Sequence, residues 1–404
     1  MMLTQIAKRL WQPPARFADR PNDRSVSFLE LFFDLVFVVV IAQLAHRLAE
    51  HPSWWGVGWF VFLFYAVWSS WLNGTLYHDL HPTNDISVRV FTFAQMMAVA
   101  VMAVFASDVP GDGADGFAVG YAINTLVLVV LWFRTGWHDP DHRPASVPYS
   151  TGYAMSAAFF GASVAVEAPA QYWMWAAGLV CEVGGFVVAL HRWTPPASQG
   201  GDTSIAATPS LIERFGLFVI IVLGEVVVGA VNGVADVSDA GADAIVPGLL
   251  GVLVAIGLWW LYFDLVSHRR PVSRWTQPWL NAHLPMVMAI AAVGAGVLNT
   301  VEHAREPIPD AVRWLLVGAI AVAMMSIVAL TVLLEVRAER PGIYRRVDIV
   351  LVAAAGVALA VGLTDWGATA TLATVAVLLL APIAVGLSVW LKLTDEALAE
   401  AVPG

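Results

Sequence analysis

The sequence predicts an all-α integral membrane protein, and three observations predict it. Apolar residues make up 59% of the 404 and charged residues only 13%, against about 25% charged in a soluble domain. Mean hydropathy is +0.71. The apolar residues fall in runs of about twenty, enough for a helix to cross about 30 Å of hydrocarbon, and not in the alternating ten-residue strands of a barrel.

Taken in order, the runs give twelve transmembrane helices. They lie at 28–49, 54–77, 88–107, 117–134, 149–167 and 170–193, then at 210–233, 246–266, 281–301, 311–336, 344–363 and 367–392. Charge tests this reading. With the N-terminus inside, all but Arg47, Arg305 and Arg313 of the 21 basic residues fall in cytoplasmic segments. The outer loops hold acids instead: Asp108, Asp112 and Asp115 in one, Asp236, Asp239 and Asp243 in another. That is the positive-inside pattern, and a miscounted span would invert it downstream. Both termini are therefore expected in the cytoplasm, and the chain in the plasma membrane.

Residues 194–209 (TPPASQGGDTSIAATP) read as a linker, being rich in Pro, Gly, Ser and Thr. They separate a first six-helix half, 27–193, from a second, 210–393. A basic cytoplasmic tail, 1–26, precedes the halves and an acidic one, 394–404, follows them. The N-terminal stretch has no long apolar core and carries Pro13 and Pro14, so it is not read as a cleaved signal peptide. A single cysteine, Cys181, excludes an internal disulfide framework.

The halves begin alike. SFLELFFDLV at Ser27 and SLIERFGLFV at Ser210 align at a fixed offset: Ser27 meets Ser210, Glu30 meets Glu213, Phe32 meets Phe215 and Val36 meets Val219. Both open S-x-x-E, the capping box in which Ser and Glu satisfy free N–H groups at a helix start. The next span of each half carries a tryptophan pair, Trp68 and Trp71, then Trp259 and Trp260. Six spans per half make both halves enter from one side, which gives two parallel repeats.

These motifs carry a resemblance. ELFFDLVFVVVIAQLAH at 30–46 resembles the first signature helix of the bacterial low temperature requirement A (LtrA) family, and ERFGLFVIIVLGEVVVG at 213–229 its second. YHDLHPTNDISVRVFTFAQMMAVAVMA at 77–103 and WWLYFD at 259–264 are similar to further parts of it. The resemblance spans nearly the whole chain and implies an integral bacterial membrane protein. The family's name records a growth phenotype and implies no chemistry. One departure is Val226, where the second signature ordinarily has a polar residue after Gly-Glu. Phe28 to Asp34 also resembles in part a potassium channel family whose first helix reads R-x-x-x-F-S-D, with Phe28 and Phe33 in place of its Arg and Ser.

The candidate residues are acids inside apolar helices. Glu30 and Glu213, with Ser27 and Ser210, are explained by capping. Asp34 is not, because it lies about 10 Å beyond Ser27 along the helix. An Asp there costs roughly 2.5–3.5 kcal/mol on insertion scales, so it must find a partner. Glu30, one turn away on the same face, is expected to share a proton or cation with it. Glu225 lies about 22 Å beyond Ser210, flanked by the small Gly224 and Gly229. Glu182 sits mid-span. Asp264 and Arg89 stand near cytoplasmic helix ends, where a solvated role is expected. Gln43 and His46 read as packing residues. His78, Asp79 and His81, and His138, Asp139 and His142, offer metal-ligand chemistry, but a solvated polar loop is the expected reading of both sets.

No phosphate-loop, H-E-x-x-H or G-x-S-x-G motif occurs. No cofactor is expected, and the basic residues fit anionic lipid rather than nucleic acid. The partners expected are therefore the lipid bilayer and a proton, cation or small solute. The sequence favours a transporter or channel whose path is lined by Asp34, Glu182, Glu225, Glu30 and Asp264. A membrane enzyme or lipid-handling protein, or a non-transporting scaffold, are the alternatives.

Overall fold

The computed structural model describes residues 11–16, 24–83, 85–193 and 207–401, apart from the side chains of 390 and 392–401. Among the described residues the chain is helical, and an isolated bridge between Pro271 and Leu334 is the nearest approach to a sheet. The long helices are α1 (Phe28–Glu50), α2 (Trp54–Leu80), α3 (Ile86–Ala106), α4 (Ala114–His138), α5 (Arg143–Ser163) and α6 (Ala170–Arg192). They continue with α7 (Pro209–Ala235), α8 (Ala242–Leu265), α9 (Thr276–Glu302), α10 (Asp310–Val332), α11 (Pro341–Val361) and α12 (Ala368–Ala401). Among the described residues ten helices are long and apolar enough to cross a membrane; α5 and α11 fall short of that measure. The protein is thus a multi-pass helical membrane protein.

Several helices outrun the apolar windows that announce them. α2 continues through His78 and Asp79 to Leu80, and α4 starts at Ala114 and runs to His138. Polar residues can finish a helix once its apolar stretch has ended, so hydropathy marks the span and not the helix. Caps mark the true start. Asp85 precedes α3 in an extended conformation and accepts the Val88 N–H at 3.2 Å. Residues 194–206 of the expected linker lie outside the described residues, but its last residue does not belong to it: Pro209 is the first residue of α7. Likewise α12 runs unbroken past 393, through residues expected to start a tail.

The described residues form two compact units, one holding residues up to 47 and 59–214, the other 48–58 and 215 onward. In the first, α3 packs on α4, α4 on α5, and α5 on α6. α2 is tied to α4 where Asn124 donates to Ser70. Trp71, Trp132, Trp175, Tyr77 and Tyr121 are fully buried there. In the second, α9 packs on α10, α10 on α11, α11 on α12, and α12 on α8.

Part of the expected N-terminal tail is held against the first unit. The Gln12 N–H donates to Asp85 at 2.8 Å, Arg134 donates to the Gln12 carbonyl, and the Arg134 guanidinium lies 5.0 Å from the centre of the Trp11 ring. Burial works against ionisation of Asp85, yet the Ser87 hydroxyl and the Gln12 and Val88 amides hold its carboxyl below the usual range.

Candidate functional site

Asp34 is the best-matched charge in the first unit. Its side chain is fully buried, and its partner is not Glu30 through a shared proton but Arg214. Arg214 Nη2 donates to Asp34 Oδ1 at 2.6 Å and Nε donates to Oδ2 at 3.3 Å. This forked geometry uses both carboxylate oxygens. Trp71 Nε1 adds a third donor at 2.8 Å. Arg214 is itself fully buried, its Nη1 stands 3.6 Å from Glu30 Oε1, and its guanidinium lies 5.7 Å from the Phe33 ring centre. Glu30 is held on its outer side by Arg24 Nη2 at 2.5 Å. Two guanidiniums and two carboxylates therefore alternate as Arg24, Glu30, Arg214, Asp34. Arg214 thus stands between Glu30 and Asp34, where the sequence leads one to expect a shared proton or cation.

The two S-x-x-E motifs do different work. At α1 the Ser27 N–H donates to Glu30 Oε2 at 2.9 Å, and the Glu30 N–H donates back to Ser27 Oγ at 3.3 Å, the reciprocal pattern of a capping box. At α7 the cap lies two residues earlier than the motif implies. Thr208 Oγ1 accepts the Leu211 N–H at 3.1 Å and Pro209 takes the first helical position. This frees Ser210, whose hydroxyl donates to Asp79 at 2.8 Å, beside Thr208 at 2.5 Å. Among the described residues Glu213 caps nothing in its own helix; its carboxylate accepts the Val26 N–H at 3.4 Å. Asp79 is thus not a solvated loop acid. It is buried at the end of α2, where it lies against the first turn of α7 and opposes the positive end of that helix.

Glu182 is held quite differently. Four helices build its pocket: Ser69 on α2, Tyr121 on α4, Ser156 on α5 and Glu182 on α6. Tyr121 Oη donates at 3.0 and 3.1 Å, Ser156 Oγ at 2.7 Å and Ser69 Oγ at 3.2 Å. Tyr121 is fixed in turn by stacking on Phe160 at 4.1 Å. Close contact of α5 with α6 sets the depth of the pocket. A Cβ on Gly185 would come 2.7 Å from the Pro148 carbonyl, so only glycine permits the approach. Among the described residues no basic side chain pairs with Glu182, and no hydrogen bond joins it to Asp34.

Glu225 lies in the second unit, half-buried on α7, and no hydrogen bond or ion pair to its carboxyl occurs among the described residues. Its backbone is tightly placed, since a Cβ on Gly294 would sit 2.8 Å from the Glu225 carbonyl. Gly229 makes the matching contact one turn on, while Gly224 faces open space. Asp264 is exposed near the end of α8 and accepts the Trp260 Nε1 hydrogen at 2.6 Å. The tryptophan pairs of the two units differ. Trp68 and Trp71 are buried, whereas Trp259 and Trp260 are 45% and 38% exposed. The first pair serves the core, and Trp71 serves Asp34.

The expected solvated loops are corrected for five of the six His and Asp residues: His78, Asp79, His81, Asp139 and His142 are buried, and His138 is exposed. His81 Nδ1 meets the Ala15 carbonyl at 2.9 Å and His142 Nδ1 meets Ser146 Oγ at 2.9 Å. His138 Nδ1 bonds the Arg134 carbonyl one turn back at 2.9 Å. The rings of His81 and His142 lie 4.9 Å apart, and Trp132 stacks on His142. Burial, and then the neighbouring His81, push the His142 imidazole down to about 3, so it is neutral at ordinary pH. Among the described residues no group of three or more His, Cys, Asp or Glu is placed to hold a metal ion.

Arg214, which the charge pattern assigns to a cytoplasmic segment, lies fully buried inside the first turns of α7. A signal existed: Asp34 required a counter-charge, and Arg214 directly precedes the apolar run FGLFVIIVLG.

Comparison with known proteins places the chain in a family. A Rhizobium meliloti (strain 1021) protein named RA0937, itself uncharacterized, is 26% identical over 299 residues, 70% of this chain and 72% of that protein. The profile of the bacterial low temperature requirement A protein (LtrA) matches residues 25–381. That match takes in both signature helices, the Asp34–Arg214 pair and the Glu182 pocket, and the chain belongs to the LtrA family.

Proposed function

We propose that this protein is a transporter that moves a proton, a cation or a small solute coupled to one, and that Glu182 is the exchange site of its first unit. The observation that carries this reading is the contrast between the buried acids. Asp34 is neutralised by a guanidinium that cannot leave. Glu182 is buried among hydroxyl groups alone. A hydroxyl can donate to a carboxylate or rotate to accept from a carboxylic acid, so the pocket satisfies both states. With no fixed counter-charge, the ionised state calls for a cation from outside or for a proton. Glu225, half-buried and with no hydrogen bond to its carboxyl among the described residues, supplies a second acid without a fixed counter-charge in the second unit, and Asp264 a solvent-facing one.

In this reading all twelve long helices span the membrane, as two parallel repeats of six with both termini in the cytoplasm. The distribution of basic and acidic loops supports it. So does the parallel order of packing, third on fourth, fourth on fifth and fifth on sixth, in each unit. The two helices of lower apolarity, α5 and α11, are the fifth of each half.

The test is ion flux into proteoliposomes under an imposed pH gradient, and separately under a sodium or potassium gradient. Wild-type vesicles are expected to conduct faster than empty ones. Glu182→Gln, which keeps shape and hydrogen bonding but fixes the charge at zero, is expected to reduce the flux at least tenfold. Wild-type flux no greater than that of empty vesicles sinks the transport reading. Full flux through Glu182→Gln sinks the site.

A further inference from the structure

The second unit holds a cavity of about 340 Å³ where the end of α8, the start of α11 and the middle of α12 meet. This is within the range of small-molecule pockets, about 300–1,000 Å³. Its polar lining is Asp264, Arg269, Arg340 and the Tyr344 side chain, and its apolar lining includes Leu261, Ile383 and Leu387. The two guanidiniums are the unusual feature. Arg337, close by in sequence, is matched by Asp348. Arg269 and Arg340 have no ion pair or guanidinium hydrogen bond among the described residues, although Asp264 lines the same cavity. Asp264 is engaged by Trp260 Nε1 instead. Tyr344 Oη donates to the Leu265 carbonyl at 3.3 Å, which fixes the phenol between α8 and α11. Arg270, Arg345 and Arg346 in the adjoining segments add further positive charge.

We propose that this cavity binds the headgroup of an anionic glycerophospholipid, with the phosphodiester between Arg269 and Arg340 and a headgroup hydroxyl donating to Asp264. The chemistry of the lining sets each part. A guanidinium pair recognises a phosphodiester by charge-assisted hydrogen bonds. A carboxylate beside it rejects a bare polyanion but accepts a hydroxyl. Leu261, Ile383 and Leu387 continue the apolar surface of their helices, along which acyl chains can lie. The combination is that of a basic pocket between helices at a membrane surface, which suits a lipid headgroup. It is independent of the Glu182 reading.

The test uses full-length protein in neutral detergent, with its thermal unfolding midpoint followed as phosphatidylglycerol, phosphatidylethanolamine or inorganic phosphate is added. Phosphatidylglycerol is expected to raise the midpoint saturably. In Arg269→Gln/Arg340→Gln, half-saturation is expected to need about tenfold more lipid or greater, as fits the loss of hydrogen bonds to a charged group. Arg345→Gln/Arg346→Gln, which removes equal charge outside the cavity, is expected to behave as wild type. Both Arg340 and Arg346 are exposed, and Arg269 is half-buried, so folding is expected to survive. An equal response to phosphatidylethanolamine or to phosphate overturns the assignment. So does an equal loss in the outside variant, or no loss in the cavity variant.

Discussion

Asp34→Leu is expected to destabilise the protein by about 3–5 kcal/mol, the usual loss when one member of a buried ion pair is removed. The variant leaves the Arg214 guanidinium buried and unmatched, and arginine cannot shed its proton to escape. Glu30 offers little relief. It stands 3.6 Å from Arg214 and is already engaged by Arg24. Arg214→Met is expected to cost less, because the abandoned Asp34 can take up a proton and keep its bond from Trp71 Nε1. Asp34→Leu/Arg214→Met is expected to lie closer to wild type than Asp34→Leu does, since a buried pair replaced by apolar groups of similar size is often near neutral. Unfolding of the purified protein in mild detergent measures all three. If Asp34→Leu falls within about 1 kcal/mol of wild type, the pair is not the lock that its geometry describes.

Gly229→Leu is the second large effect, expected at about 3 kcal/mol or more, the upper end of overpacking costs. A Cβ on Gly229 would lie 2.4 Å from the Gly294 carbonyl oxygen. The obstacle is backbone, so no side chain can rotate out of its way, and α7 must separate from α9. Gly233 meets the Leu298 carbonyl at 2.8 Å one turn further on, so the two glycines form a small-x-x-x-small face that lets the helix backbones touch. Gly224→Ala is the control. It faces open space and is expected to be neutral or to stabilise by up to about 1 kcal/mol through helix propensity. The same detergent unfolding measurement compares them. Equal effects at Gly224 and Gly229 would refute the close-contact account. Because Gly294 also abuts the Glu225 carbonyl, loosening this crossing should alter the placement of that acid too.

The helical membrane class was legible because apolar runs of span length leave no other fold available in a bilayer. Family membership was legible for the same stretches, since both signature helices are continuous in sequence. The capping box at Ser27 was written locally and was formed locally. Its apparent copy at Ser210 was not, although the four motif letters are the same. There Thr208 and Pro209 start the helix earlier, and Asp79, far away in sequence, draws Ser210 to another partner. A capping motif states what a helix start can do, and competing hydrogen bonds decide what it does.

The buried acids divide along the same line. That Asp34, Glu182 and Glu225 are costly in an apolar helix follows from the sequence alone. How each cost is met does not. Arg214 aligns with Leu31 in the first half, and Leu217 aligns with Asp34. The repeat therefore hides the pair, because each half carries one member at a place where the other half is apolar. The pairing depends on the first two turns of α7 lying against α1, which residue spacing does not encode. The Glu182 pocket draws its hydroxyls from three further helices, and serines and a tyrosine at scattered positions carry no pattern that announces it. The sequence by itself determined the class, the family and which residues required partners, because burial cost and helix length are local properties of the chain. Only the tertiary structure decided which acid is locked by a guanidinium and which is left with hydroxyls, because a counter-charge acts over a few ångströms of space whatever its distance along the chain.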